Sequence, residues 1–181
     1  MKHLYFIRHG QSQANLDKII ATPDSPLTSL GVFQAKETAN KLLGFGIDKI
    51  FSSPMPRARQ TAEVIADSIG FDKSKIVTMN ELRERGFGEL EGKSKDHESR
   101  WYFDIPDGLG IETHNELHGR MKNALNQIMD MSTNSSNILI IGHSVSGDML
   151  RFIADKKLNF SALADYELTP NAGFFELKVW N

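Results

Sequence analysis

Short apolar runs alternate with helical stripes along most of this chain. The run from Leu4 to Ile7 is aromatic and β-branched and ends at polar residues, which is typical of a buried strand that leads into a loop. The runs at Ile47 to Phe51 and Ile138 to Ile141 predict further buried strands, and Lys75 to Met79 predicts another. The segment from Gly173 to Trp180 alternates and predicts a closing strand.

Apolar residues at spacings of three and four predict four helices between these strands. Thr28 or Ser29 can cap the first helix. The four stripes are Val32, Ala35, Ala39 and Leu42; Ala58, Ala62, Ile65 and Ile69; Leu117, Met121, Ala124, Ile128 and Met131; and Val145, Met149, Phe152 and Ile153. Strands that alternate with helices predict an α/β fold, a three-layer sandwich with a mostly parallel sheet and helices on both faces. We expect a single domain over residues 1–181.

The remaining segments lack a clear period. Glu81 to Gly92 carries several glycines and is predicted to be an ordered loop. Residues 93–112 are polar and aromatic with turn signals, so we expect a short helix and a lid-like loop there. Residues 132–137 are predicted to be a loop before the next strand.

Composition and charge exclude several classes of function. The chain has no cysteine, which excludes disulfides, thiolate metal ligands and cysteine nucleophiles. The net charge of -2 gives no reason to expect nucleic acid or an anionic membrane as a partner. The first apolar run is too short for an export signal, and none approaches the roughly 18 residues of a membrane span. We therefore expect a cytoplasmic protein, and the oligomeric state is left open.

Candidate catalytic groups stand where predicted strands end. Arg8 and His9 follow the first strand, and His143 follows the strand that begins at Ile138. The carboxyl ends of parallel strands meet at one edge of a sheet, where such folds bind ligands. A guanidinium offers a planar set of donors to phosphate, and a neutral imidazole offers a lone pair for attack on phosphorus. Each residue alone is more often a local turn residue, so only their combination indicates phosphoryl transfer.

Arg57 strengthens this interpretation. It lies in the first turn of the second predicted helix, just after a strand. A helix N-terminus attracts anions but disfavours a cation, so an arginine there serves an anion better than it serves the helix. Arg59 lies two positions on and is expected to face solvent.

Several motifs occur in an order that is specific to one family. RHGQS, the following Asn15, LTSLG with its downstream Gln and Ala, SSPMPRARQTA, RERGFGELEG and the strand-terminal GHS together resemble the histidine phosphatase superfamily, also called phosphoglycerate mutase-like. The resemblance implies that His9 is the phosphorylated nucleophile and Glu84 the proton donor. It further implies that a larger set of residues grips the phosphoryl group: Arg8, Gln11, Asn15, Arg57, His143 and Ser144. It implies neither a metal nor a cofactor.

Glu84 also suits its role on physical grounds. The leaving alkoxide needs a proton, and a dianionic phosphate beside a carboxyl group favours the protonated acid. That acid can donate in the first step and accept from water in the second. Glu81, Glu89 and Glu91 are the competing carboxylates, and the glycines that follow Glu84 match the spacing of the family.

The resemblance does not choose the substrate. Met55 stands where the family often has leucine, Leu90 where many phosphatases have tryptophan, and residues 109–111 lengthen the segment before Glu112. Mutases of the family are usually longer than 181 residues, so we expect a metal-independent phosphatase that hydrolyses phosphate monoesters of small metabolites. The alternatives are mutase-type phosphoryl transfer and a non-catalytic phosphate-binding module on the same fold.

Three further motifs resemble sites of other kinds but lack a residue that each site needs. The segment from Gly142 to Ser146 approaches the G-x-S-x-G elbow of serine esterases, but no histidine follows it in the chain. His114 and His118 have the spacing of a helical zinc pair, but Glu116 is misplaced for H-E-x-x-H. The pairs Gly86-x-Gly88 and Gly108-x-Gly110 lack the third glycine and the strand-to-helix context of a dinucleotide fingerprint.

Overall fold

A five-stranded sheet with helices on both faces forms the computed structural model, which describes residues 2–94, 109–155 and 169–177. Its elements are β1 (His3–Arg8), α1 (Gln13–Leu16), α2 (Ser29–Leu42), β2 (Lys49–Ser52), α3 (Pro56–Ile69), β3 (Val77–Thr78), α4 (His114–Met131), β4 (Asn137–Gly142), α5 (Ser144–Ala154) and β5 (Phe174–Leu177). The strand order is β3-β2-β4-β1-β5, and β5 is the antiparallel strand. The predicted α/β fold with a mostly parallel sheet is confirmed.

Strand β4 shows how the sheet divides the core in two. Ile138 and Ile140 point to one face, which α4 and α5 cover. Leu139 and Ile141 point to the other face, which α2 and α3 cover. All four side chains are fully buried, as the continuous apolar run of a central parallel strand requires.

Helix α2 begins at one of the two residues predicted to cap it, and α4 has a side-chain cap as well. Thr28 caps α2 by accepting the amide hydrogen of Gly31, and Thr113 forms a capping box with Glu116 at the start of α4. The predicted stripe of α4 ends in the core at Ile128, because Met131 is the last residue of the helix and is 48% exposed.

The irregular segments are ordered around short turns. The predicted loop from Glu81 to Gly92 contains 3-10 turns at Asn80–Leu82 and Gly88–Leu90. The helix and lid expected over residues 93–112 fall mainly on residues 95–108, which lie outside the described residues. The end of the predicted closing strand, residues 178–180, lies outside them too.

This architecture brings three chain segments to one edge of the sheet. Strands β1, β2 and β4 are parallel neighbours, and His9, Ser53 and His143 follow their carboxyl ends directly. In the described part of the chain, no helix is both long and apolar enough for a membrane span.

Candidate active site

His9 lies buried at the end of β1 with its ring held in one tautomer. Its Nδ1 is 2.6 Å from the carbonyl oxygen of Gly10, and its backbone amide donates to the carbonyl of Gly142. A carbonyl can only accept, so Nδ1 must carry the hydrogen. The neutral ring therefore has its lone pair on Nε2, which identifies the atom that can attack phosphorus.

His143 lies next to His9, with the ring centroids 5.1 Å apart and the rings nearly perpendicular. Its Nε2 is 2.8 Å from Ser53 Oγ, and that hydroxyl oxygen already accepts the amide hydrogen of Met55. The Ser53 hydroxyl hydrogen is thus available to His143 Nε2, which would place the ring hydrogen on Nδ1. Among the described residues, Nδ1 of His143 is buried without a hydrogen-bond partner, so it is the donor that a phosphoryl oxygen could use.

The electrostatic surroundings keep His143 neutral. Complete burial lowers its pKa well below the ordinary 6.5, and the charges of Arg57 and Arg8 and the neighbouring His9 lower it further. An imidazolium at this position would add repulsion to a site that already holds two guanidinium groups. His143 is therefore suited to donate a hydrogen bond rather than a charge.

Arg8 and Arg57 supply the positive charge. Arg57 is 1% exposed, and its guanidinium donates to the carbonyl of Thr22 and contacts the sulfur of Met55 at 3.1 Å. Burial lowers the pKa of Arg57, whereas attraction from Glu84 and Glu91 opposes this effect, and the side chain remains cationic. Arg8 is oriented by donation from Nη1 to the carbonyl of Thr169 at 2.6 Å.

Glu84 projects from the loop after β3 to the N-terminus of α5. Its carboxylate accepts amide hydrogens from Val145 at 3.3 Å, from Ser146 at 2.9 Å and from its neighbour Arg85 at 2.9 Å. It thereby caps a helix that has no side-chain cap of its own at His143.

Most of the predicted residues surround one small cavity. A space of about 30 Å³ lies between them, and its lining consists of Arg8, His9, Asn15, Ile20, Ala21, Arg57, Glu84, Phe87 and Ser144. Asn15 Oδ1 accepts hydrogen bonds from Ser12 and Asn171, so Nδ2 is the atom through which Asn15 could donate to a ligand. His143 is not among the lining residues, but its ring contacts that of His9, which is.

Gln11 is a predicted phosphate-binding residue whose side chain binds elsewhere in the structure. Its carboxamide oxygen accepts from Thr28 Oγ1 at 2.8 Å, and its backbone amide donates to Gln34. Through these hydrogen bonds, Gln11 connects the loop after β1 to α2, and it does not line the cavity. Its place in the RHGQS motif gave no sign of this direction.

Two glycines explain how closely this loop approaches α2. A Cβ atom at Gly10 would collide with the backbone of Gly31, and one at Gly31 would collide with the backbone of Gln11. Side chains at these positions would push the loop and the helix apart and move His9. The glycines of RHGQS and LTSLG are therefore packing requirements of the site.

A turn near the C-terminus supports the site and was missed by sequence reasoning. Asn171 Nδ2 donates to the carbonyl of His9 and to Asn15 Oδ1, and the amide of Ala172 donates to the same His9 carbonyl. The role of Ser53 was not predicted either, although Ser53 lies in the SSPMPRARQTA motif. The dipeptide Pro170-Asn171 is a turn signal, but nothing in it indicates contact with β1.

A larger cavity opens beyond Glu84. It has a volume of about 890 Å³ and shares Ala21, Arg57 and Glu84 with the inner space. Charged and polar groups line its outer part: Arg83, Arg85, Glu91, Glu112, Asn115, Glu116 and Arg120. Met55, Gly110 and Ile111 also line it, which places two of the departures from the family pattern at the wall.

The residues of the possible zinc pair and of the possible esterase elbow are not arranged for those functions. His114 Nε2 lies 3.4 Å from Arg85, whereas the ring of His118 packs against Phe152, so the two imidazoles contact different neighbours. Ser144 Oγ is buried and has no hydrogen-bond partner in the described ranges, so none of these residues is placed as its base. Within the same ranges, no group of three or more histidine, aspartate or glutamate residues is arranged to hold a metal.

Comparison with known proteins decides the family. The sequence pattern of the histidine phosphatase superfamily (branch 1) matches residues 4–180, which is nearly the whole chain. This chain belongs to the histidine phosphatase superfamily. The family assignment made from the ordered motifs is confirmed.

Several known proteins resemble the chain in sequence or in fold. It is 34% identical to proteins named probable phosphoglycerate mutase GpmB, from Proteus mirabilis over 77% of this chain and 69% of that one, and from Escherichia coli over 81% and 71%. Its fold matches a mycobacterial glucosyl-3-phosphoglycerate phosphatase complexed with VO3 (TM-score 0.84, 21% identity, 97% of this chain and 92% of that chain). It also matches a putative α-ribazole-5'-P phosphatase from Escherichia coli (TM-score 0.80, 23% identity, 97% and 90%).

Proposed function

We propose that this histidine phosphatase hydrolyses phosphate monoesters of small metabolites through a phosphohistidine at His9, without a metal. The observation that carries the proposal is the hydrogen bond between His9 Nδ1 and the Gly10 carbonyl, which leaves the attacking lone pair on Nε2. A module that only binds phosphate needs no such nucleophile.

The first step would form one bond and break another at phosphorus. His9 Nε2 attacks the phosphoryl group as the bond to the leaving oxygen breaks, and Glu84 gives its proton to that oxygen. In the second step, water attacks the phosphohistidine and returns a proton to Glu84, and the phosphorus–nitrogen bond breaks to release inorganic phosphate. Each residue ends in the state in which it began.

The charges around the cavity suit this reaction. Arg8 and Arg57 are cationic, and Nδ1 of the neutral His143 can donate to an equatorial oxygen. Charge spreads over these oxygens in the transition state, so fixed donors stabilise it without reorganisation. The guanidinium of Arg57 is held by Thr22 and Met55 before any ligand arrives.

Mutase-type transfer is the second candidate, because relatives 34% identical to this chain carry the name probable phosphoglycerate mutase. The two reactions share the phosphohistidine and differ in the group that accepts the phosphoryl group. A phosphatase gives it to water, so phosphate is released in step with the alcohol. A mutase would interconvert 2- and 3-phosphoglycerate with little release of phosphate.

The test compares variants on two substrates in the presence of EDTA. His9→Ala should lose at least about a thousandfold in kcat on p-nitrophenyl phosphate, whereas His3→Ala, an exposed histidine on the same strand, should match the wild type. A wild type no faster than His9→Ala, or one that only interconverts phosphoglycerates, would contradict the proposal. Activity that disappears with EDTA would contradict its metal independence.

The leaving group separates the role of Glu84 from that of His9. Glu84→Gln should lose about a hundredfold or more on an alkyl phosphate but much less on p-nitrophenyl phosphate, because p-nitrophenolate leaves without a proton. Glu89→Gln, on the exposed part of the same loop, is the control. Equal losses of Glu84→Gln on both substrates would show that Glu84 is not the acid.

A further inference from the structure

The turn between Thr169 and Gly173 contacts the proposed site at several points. It accepts from Arg8 Nη1 through the Thr169 carbonyl, and it binds the carbonyl of His9 through Asn171 and Ala172. The carbonyl of Gly173 also accepts the amide hydrogen of Arg8. Movement of this turn would therefore move both the nucleophile and a phosphate-binding arginine.

Asp148 connects this turn to α5. Its Oδ1 accepts the hydroxyl hydrogen of Thr169 at 3.1 Å, and the carbonyl of the same threonine accepts from Arg8 at 2.6 Å. A short chain of hydrogen bonds thus runs from α5 through one residue of the turn to the guanidinium. Asp148 is 7% exposed, so water does not readily replace this connection.

The carboxyl group of Asp148 is costly to bury. In the part of the chain that the structure describes, Oδ2 has no hydrogen-bond partner. Burial raises the pKa of Asp148 to about 6, and the nearby Glu84 raises it as well, whereas Thr169, Arg151 and Arg8 act in the opposite direction. One hydrogen bond compensates poorly for the loss of water around a carboxyl group, so Asp148 contributes little to the stability of the fold. That one described hydrogen bond joins Asp148 to Thr169, whose carbonyl binds Arg8.

We propose that Asp148 is a positioning residue: it fixes the turn at Thr169 and thereby sets the orientation of Arg8 toward the phosphoryl group. This inference rests on the proposed function, because it assigns Arg8 to the phosphate. It adds a residue of α5 that does not itself line the inner cavity.

The experiment measures binding of inorganic phosphate by calorimetry, which does not require turnover. Asp148→Ala and Thr169→Val should each raise the Kd by about tenfold, because each removes the hydrogen bond between them. Asp148→Asn and Thr169→Ser keep an acceptor and a hydroxyl, so they should remain within about threefold of the wild type. Asp130→Ala, an exposed aspartate of α4, should leave the Kd unchanged.

A double-mutant cycle tests whether the effect passes through Arg8. In an Arg8→Ala background, Asp148→Ala should weaken phosphate binding no further. A further tenfold loss in that background would overturn the inference, and so would wild-type affinity in Asp148→Ala or Thr169→Val. If Asp148→Ala does not fold, the phosphate Kd of Thr169→Val tests the inference instead, because valine has nearly the same volume as threonine.

The outcomes also separate this inference from the proposed function. A wild type that binds phosphate but shows no turnover dependent on His9 would overturn the proposed function and leave the Asp148 connection supported by its Kd values. A wild type that binds no phosphate would overturn both.

Discussion

Replacing Asp148 by asparagine should stabilise the folded chain, and the gain should grow as the pH rises. In the folded state the pKa of Asp148 is raised from the ordinary 3.8 to about 6, with burial as the largest cause. Between these two values the folded state binds more protons than the unfolded state, so stability falls as the pH rises through this window. Asparagine has the shape of the protonated acid and never ionises, so the variant avoids this loss.

The size of the stabilisation follows from the difference between these two pKa values. The difference between 3.8 and about 6 corresponds to a maximum of about 3 kcal/mol. The variant should therefore be more stable than the wild type by about 3 kcal/mol at pH 8 and by about 1.5 kcal/mol at pH 5, where the wild type is mostly protonated when folded.

Urea unfolding of both proteins at pH 5 and pH 8 measures the two differences. Asp130→Asn removes an exposed carboxylate and should change the free energy of unfolding by less than about 0.5 kcal/mol at either pH. An Asp148→Asn variant that is equally stable or less stable than the wild type at pH 8 would refute the burial argument. So would a gain that does not depend on pH.

Two more predictions concern groups that hold the site. Ser53→Ala should lower kcat by about tenfold and lower the free energy of unfolding in urea by about 1 to 3 kcal/mol, because Nε2 of the buried His143 loses its partner. Ser132→Ala removes a buried hydroxyl without a partner among the described residues and should cost less. Equal effects of the two substitutions would refute the role of Ser53 in holding His143. Arg120→Met should lower the free energy of unfolding by about 3 kcal/mol and reduce kcat, because Arg120 pairs with Glu112 at 2.6 Å and donates to the carbonyl of Glu84. An unchanged kcat would show that Glu84 is positioned without Arg120.

The sequence predicted the sheet and the edge that carries the site because its strongest signals are continuous. The run from Ile138 to Ile141 is fully apolar and occupies a central strand with both faces covered. Periodic helices such as the one that includes Leu117 and Met121 were equally clear. With the strands known to be parallel, His9 and His143 had to meet at one edge.

The contacts that support the site could not be predicted from the sequence, because they join residues that are distant along the chain. Thr169 and Asn171 touch residues more than 150 positions away, and no spacing rule links such positions. Gln11 shows the reverse problem, since it lies two residues from His9 but its side chain binds Thr28. Local motifs identify which residues are available, and packing decides where each one points.

Identifying the phosphorylated residue directly tests whether His9 is the nucleophile. The enzyme would be mixed with an isotopically labelled phosphate monoester and quenched during turnover in alkali, in which phosphohistidine survives, and then examined by peptide mass spectrometry and phosphorus NMR. We predict a single modified residue, His9, with the phosphoryl group on Nε2. Label on another residue, or on Nδ1 of His9, would contradict the account.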